Sequence, residues 1–134
     1  MRFMVIVKGC EGEKLPSKEF MAAMGKYNEE LTEAGVLLAL EGLHPAPIGT
    51  RVKFAGKSRM VTDGPFAESK ELVGGFWLWK CKSKQEAIEW LKRAPFEDHE
   101  VELRQVHEAE DFAENFTRAL REQEARGRET VEAR

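Results

Sequence analysis

The chain has 134 residues, 42% of them hydrophobic and 34% charged, which fits one soluble domain with a modest core. Its net charge of -3, from 21 basic and 24 acidic residues, argues against a nucleic-acid partner, which calls for a basic face. No apolar run approaches the roughly 20 residues of a membrane span, and the opening "MRFMVIVKG" is interrupted by Lys8 too early for a signal peptide, so a cytoplasmic protein with no membrane partner is expected.

In chain order, residues 2–8 read as a strand with Phe3, Val5 and Val7 on one face and Met4 and Ile6 on the other. Apolar side chains on both faces predict a central strand. Ser17 is an N-cap for a helix over 18–34, in which Phe20, Met24, Tyr27, Leu31 and Ala34 recur every three or four residues as one buried stripe. Gly35 supplies the stop. "VLLAL", 36–40, reads as a second buried strand. "EGLHPAP" then breaks the chain, and "TRVKFAGKSRMVT" alternates around residues 55–58 as a hairpin. Its basic residues Arg51, Lys53, Lys57 and Arg59 read as a solvated surface.

Residues 73–81 form the next strand, with Trp77 and Trp79 pointing one way and Phe76 and Leu78 the other. Ser83 and Glu86 form a capping box for a helix that ends near Pro95 and whose apolar side is Ala87, Ile88, Trp90, Leu91 and Ala94. Residues 100–107 are the last strand, with Val101 and Leu103 inward. Phe112, Phe116 and Leu120 then predict a short amphipathic helix. Residues 121–134 hold four Arg and four Glu and almost nothing apolar, so they read as a frayed helix or a tail.

The order is β-α-β, a hairpin, then β-α-β. Without the hairpin this is an α+β, split βαβ arrangement: a four-stranded antiparallel sheet with two helices on one face. Residues 1–107 carry that domain and 108–134 a C-terminal helical extension. Two helices cover one face only, yet the strand 73–81 is apolar on both. Burying each large apolar side chain is worth roughly 1.5–3 kcal/mol, so the second face calls for a cover. A second copy of the same sheet supplies one and predicts a homodimer, in which Trp79 is expected to matter. The alternative cover is the C-terminal helix folded back. The two cysteines, Cys10 and Cys81, read as reduced thiols at opposite ends of the sheet, too far apart to bond.

"Asp63-Gly64-Pro65-Phe66-Ala67-Glu68", preceded by "Glu41-Gly42-Leu43-His44-Pro45" and followed by "Gly74-Gly75-Phe76-Trp77", resembles the YCII-related proteins, specifically their DGPF branch. The resemblance covers about residues 1–107. It implies a bacterial protein with a ferredoxin-like chain that pairs into a dimeric α+β barrel, in a family whose members are mostly uncharacterised. Related proteins carry a histidine and an aspartate in a cleft. They place the histidine in the first helix, where this chain has Met24, so that pair does not transfer. The branch also implies an association with extracytoplasmic-function sigma factors.

Strand directions locate the candidate site. The C-terminal ends of strands 2–8 and 36–43 share an edge with the N-terminal ends of strands 73–81 and 100–107. Cys10, His44, Asp63 and His99 flank that edge, and Phe66 can close the mouth of a cavity beneath it. His44 is a candidate general base, because imidazole titrates near neutral pH, and Asp63 a group that orients it or binds substrate. The competing readings are that His44 simply ends a strand before Pro45 and that Asp63 hydrogen-bonds its own turn. Phe66, Gly74, Gly75 and His99 are the binding candidates. The two glycines predict close backbone approach to a ligand or to a neighbouring strand, and Glu68 and Lys70 read as solvated loop charges. No HxxxH, CxxC, glycine-rich phosphate loop or GxSxG occurs, so neither a metal, a cofactor nor a serine nucleophile is expected. Two functions follow: a cofactor-independent enzyme or small-molecule binder with proton-transfer or lyase-like chemistry, and an interaction module.

Overall fold

The computed structural model describes residues 1–9, 16–44, 49–64 and 72–134. Its elements are β1 (Arg2–Gly9), α1 (Lys18–Glu33), β2 (Leu37–Gly42), β3 (Thr50–Ala55), β4 (Ser58–Asp63), β5 (Leu72–Lys80), α2 (Lys84–Lys92), β6 (Val101–Gln105), a 3-10 helix (Ala109–Asn115) and α3 (Arg118–Glu132). Four strands form one sheet in the order β2-β5-β1-β6, and β3 and β4 form a separate hairpin. Both β1 and β2 run antiparallel to β5, and β6 runs antiparallel to β1. The expected split βαβ order with an inserted hairpin is therefore what forms.

The helices begin where the caps dictate. Ser17 Oγ accepts from the Phe20 N–H at 3.1 Å, and Ser83 Oγ accepts from the Glu86 N–H at 3.1 Å. Glu86 reaches back one residue further than a capping box requires, to the Lys82 N–H at 2.8 Å. Gly35, at φ 73, ends α1 in the left-handed region that a Cβ disfavours.

The core lies on the helix side of the sheet. Phe3, Val5, Trp77 and Trp79 pack there with Tyr27, Leu31, Val36 and Ala87, all buried. Met24 packs on the edge of this cluster, but Ala34 is exposed because it is the C-cap, one step past the helix. The Tyr27 hydroxyl donates to the Trp90 carbonyl at 2.5 Å and joins α1 to α2. Burial pushes its pKa up. The Trp77 indole donates to Asn28 Oδ1 at 2.9 Å. Trp79 is 0% exposed. It is thus a core residue on the helix side, which corrects its expected part in pairing.

The other sheet face is different. The register sets Met4 opposite Leu78 and Ile6 opposite Phe76. These four apolar residues are half-buried and stand apart from the core cluster. Neither α1 nor α2 covers them, since both helices pack on Trp77 and Trp79.

Of the frayed helix or tail expected for the end of the C-terminal extension, it is a helix that forms, preceded by a 3-10 helix where a short amphipathic helix was expected. Thr117 caps a 15-residue helix, α3, with its Oγ1 accepting from the Leu120 N–H at 3.3 Å. The alternating charges support it through pairs four residues apart, Arg118 with Glu122 at 3.1 Å and Arg128 with Glu124 at 2.7 Å. No residue of α3 is buried. A helix folded down as a lid on the sheet would bury one of its sides.

Candidate rim site

The sheet register brings the candidates to one end. Gly9 pairs with Leu72, Gly42 with Gly75, and Val7 with Val101. The Leu43 N–H donates to the Gly74 carbonyl at 2.9 Å, which extends the ladder one step past β2 and sets His44 at the rim, exposed. His99 reaches the same rim from β6. Its Nε2 lies 2.5 Å from the Lys8 carbonyl oxygen, and its ring stacks on Phe96 at 5.3 Å and 16°. Asp98, just before it, sits at φ 42, a conformation that favours Asp and Asn among side-chain-bearing residues.

Asp63 ends β4, and its carboxylate accepts from Thr50 Oγ1 at 2.7 Å across the hairpin. Gly64 N–H donates to the Gly49 carbonyl at 2.9 Å and closes the base of the ribbon. His44 and Asp63 are both exposed, and no hydrogen bond joins them. Cys10, Pro45, Phe66, Glu68 and Lys70 lie outside the described residues. Gly74 and Gly75 approach backbone. A Cβ on Gly74 would lie 3.4 Å from the Gly9 Cα, and one on Gly75 would lie 2.8 Å from the Glu41 carbonyl oxygen. Both glycines thus serve the neighbouring strands.

Several contacts escaped the sequence because they join residues far apart. Phe96 lies 5.9 Å from both Phe20 and Trp77, so an aromatic path links His99 at the rim to the core. Lys8 pairs with Glu100 at 3.0 Å, beside His99. Arg2 grips Glu108 through Nε at 2.9 Å and Nη2 at 3.3 Å, which ties the extension to β1. A groove of about 320 Å³ runs between α1 and edge strand β2 past Asn28, Thr32, Leu37 and Leu40. Glu29 and Glu33 line it as well, while its Asn28 oxygen is already taken by the Trp77 indole.

Cys81 is buried, and burial together with Glu86 pushes its thiol pKa up, away from a reactive thiolate. Among the described residues no three His, Cys, Asp or Glu side chains converge as a metal site.

Sheet order, strand directions and helix placement define a ferredoxin-like α+β protein. Residues 1–114 match the YCII-related domain, so the chain belongs to the YCII-related family, with α3 beyond the matched region. An uncharacterised protein of Rhizobium meliloti (strain 1021) is 32% identical over 82 residues, 61% of this chain. The match spans 63% of that relative's length. Among the described residues no helix is long and apolar enough to cross a membrane.

Proposed function

We propose that the protein is a homodimer whose two sheets face each other and enclose a small-molecule chamber at the rim. His44 is its general base and Asp63 the polar group that orients substrate, in cofactor-independent proton-transfer or lyase-like chemistry. The observation that carries this reading is the sheet face of Met4, Ile6, Phe76 and Leu78, which lies opposite the side that α1 and α2 pack on and against which α3 buries none of its residues. A second copy hides that face and gives the rim a roof. A small-molecule panel of enolisable ketones and carboxylic acids, read by thermal shift, tests the chemistry. A compound that raises the Tm of the wild type and not of His44→Ala supports the assignment. An equal rise in both removes His44 from the site.

A second reading has its own support. Phe112 and Leu120 are 45% and 44% exposed on the extension, with half-buried Phe116 between them. In that reading the extension presents an apolar strip to a protein partner, and the association implied for the DGPF branch makes a sigma factor the partner to try. Capture of such a factor by the full chain, lost on Phe112→Ser with Leu120→Ser, distinguishes it from the enzyme reading.

A further inference from the structure

The β3–β4 hairpin is left unexplained by the sheet and its helices. Every residue of both strands is exposed. Val52, Phe54, Met60 and Val61 are 47, 68, 61 and 65% exposed. A two-stranded ribbon by itself is marginal in water, and this one holds four large apolar side chains in solvent. Its charge is a second, independent observation. Arg51, Lys53, Lys57 and Arg59 against Asp63 give it +3 within a chain of net -3. The acid is concentrated elsewhere: residues 97–114 hold eight acidic side chains against Arg104. Glu97, Asp98 and Glu102 are exposed there, without an ion-pair partner among the described residues.

Strand order decides what the hairpin meets, given the facing-sheet dimer proposed above, on which this inference rests. The edge strands are β2 and β6. For both rims to share one mouth, the two-fold axis must run parallel to the strands. That rotation lays the β2 edge of one copy over the β6 edge of the other, and does so twice, because the interface is isologous. The hairpin leaves the sheet at the C-terminal end of β2, and the seven residues 43–49 reach at most about 24 Å. At the corresponding end of β6 stand Glu97 and Asp98, with Glu102 on the open face opposite Ile6.

We propose that the β3–β4 hairpin is an intersubunit arm that lays its basic, apolar-bearing ribbon on the acidic β6 edge of a second copy, around Glu97, Asp98 and Glu102. Each rim is then built from two chains. One contributes His44 and, at the root of its arm, Asp63; the other contributes the loop that holds His99. The site is incomplete in a single copy.

Two charge-reversed variants test this by sedimentation equilibrium. One carries Lys53→Glu and Lys57→Glu on the arm, the other Glu97→Lys and Glu102→Lys on the edge. All four positions are exposed, and circular dichroism checks the fold. Each variant alone is expected to dimerise at least about tenfold more weakly than the wild type, because like charges now face each other. Their equimolar mixture is expected to form heterodimers with the wild-type affinity, since both arm–edge contacts are again opposite in charge. The wild-type dimer is also expected to weaken as salt rises. A wild-type dimer insensitive to salt, or variants that dimerise like it with no preference on mixing, overturns the arm and leaves the dimer standing. A wild type that stays monomeric removes the dimer and the arm with it.

Discussion

A methyl group at Gly75 would stand 2.8 Å from the carbonyl oxygen of Glu41, closer than a carbon and an oxygen tolerate. The obstacle is backbone of the paired strand β2, so it does not swing aside. Gly75→Ala is therefore expected to cost about 1–3 kcal/mol, the range of an overpacked core. Gly74→Ala, whose nearest contact is 3.4 Å, is expected to cost less. Urea unfolding of the two variants measures the difference. Equal costs would mean that β2 relaxes away from β5.

The Arg2–Glu108 pair gives a pH dependence. Its hydrogen bond with the Arg2 guanidinium holds Glu108 below the usual carboxylate range, and Arg2 is held above its own ordinary value. A carboxylate depressed in the folded state stabilises above its unfolded value, about 4.3, and loses that contribution as pH falls through the folded value. Both groups are partly exposed, so the pair is worth at most about 1 kcal/mol. The Tm of the wild type should exceed that of Glu108→Gln near neutral pH, and the gap should close as pH falls through the depressed folded value of Glu108. A gap that persists in acid assigns the loss to packing instead.

Removal of residues 122–134 is expected to change stability by less than about 1 kcal/mol, because α3 buries none of its residues. The far-ultraviolet circular dichroism should still fall, since most of a helix is lost. The charge of Glu124 acts on Arg2 and that of Arg128 on Glu108, so a larger loss of Tm would show that these two do more at the pair than screening allows.

The elements were legible because their signals are local. Ser17, Ser83 and Gly35 mark helix ends through bonds three residues long or through one positive φ. Residues 55–58 mark the hairpin turn in the same way, with Gly56 at φ 58. Strand directions followed from the element order, and they set His44 and His99 at one rim. What the chain did not disclose is which side of β5 the helices take. Alternation separates Trp79 from Leu78 but does not say which of the two is inside. Asp63 shows the same limit: a turn motif announces a hydrogen bond, yet the donor is Thr50, 13 residues away on the opposite strand. The ion pair of Arg2 with Glu108 spans 106 residues and leaves no mark in either neighbourhood.

The most direct test is sedimentation equilibrium of the wild type beside Phe76→Glu, which puts a charge in the middle of the uncovered sheet face without touching the helix-side core. The wild type should sediment as two copies, and Phe76→Glu as one folded copy. A wild type that sediments as a single chain, or a variant that stays paired, would contradict the facing-sheet dimer.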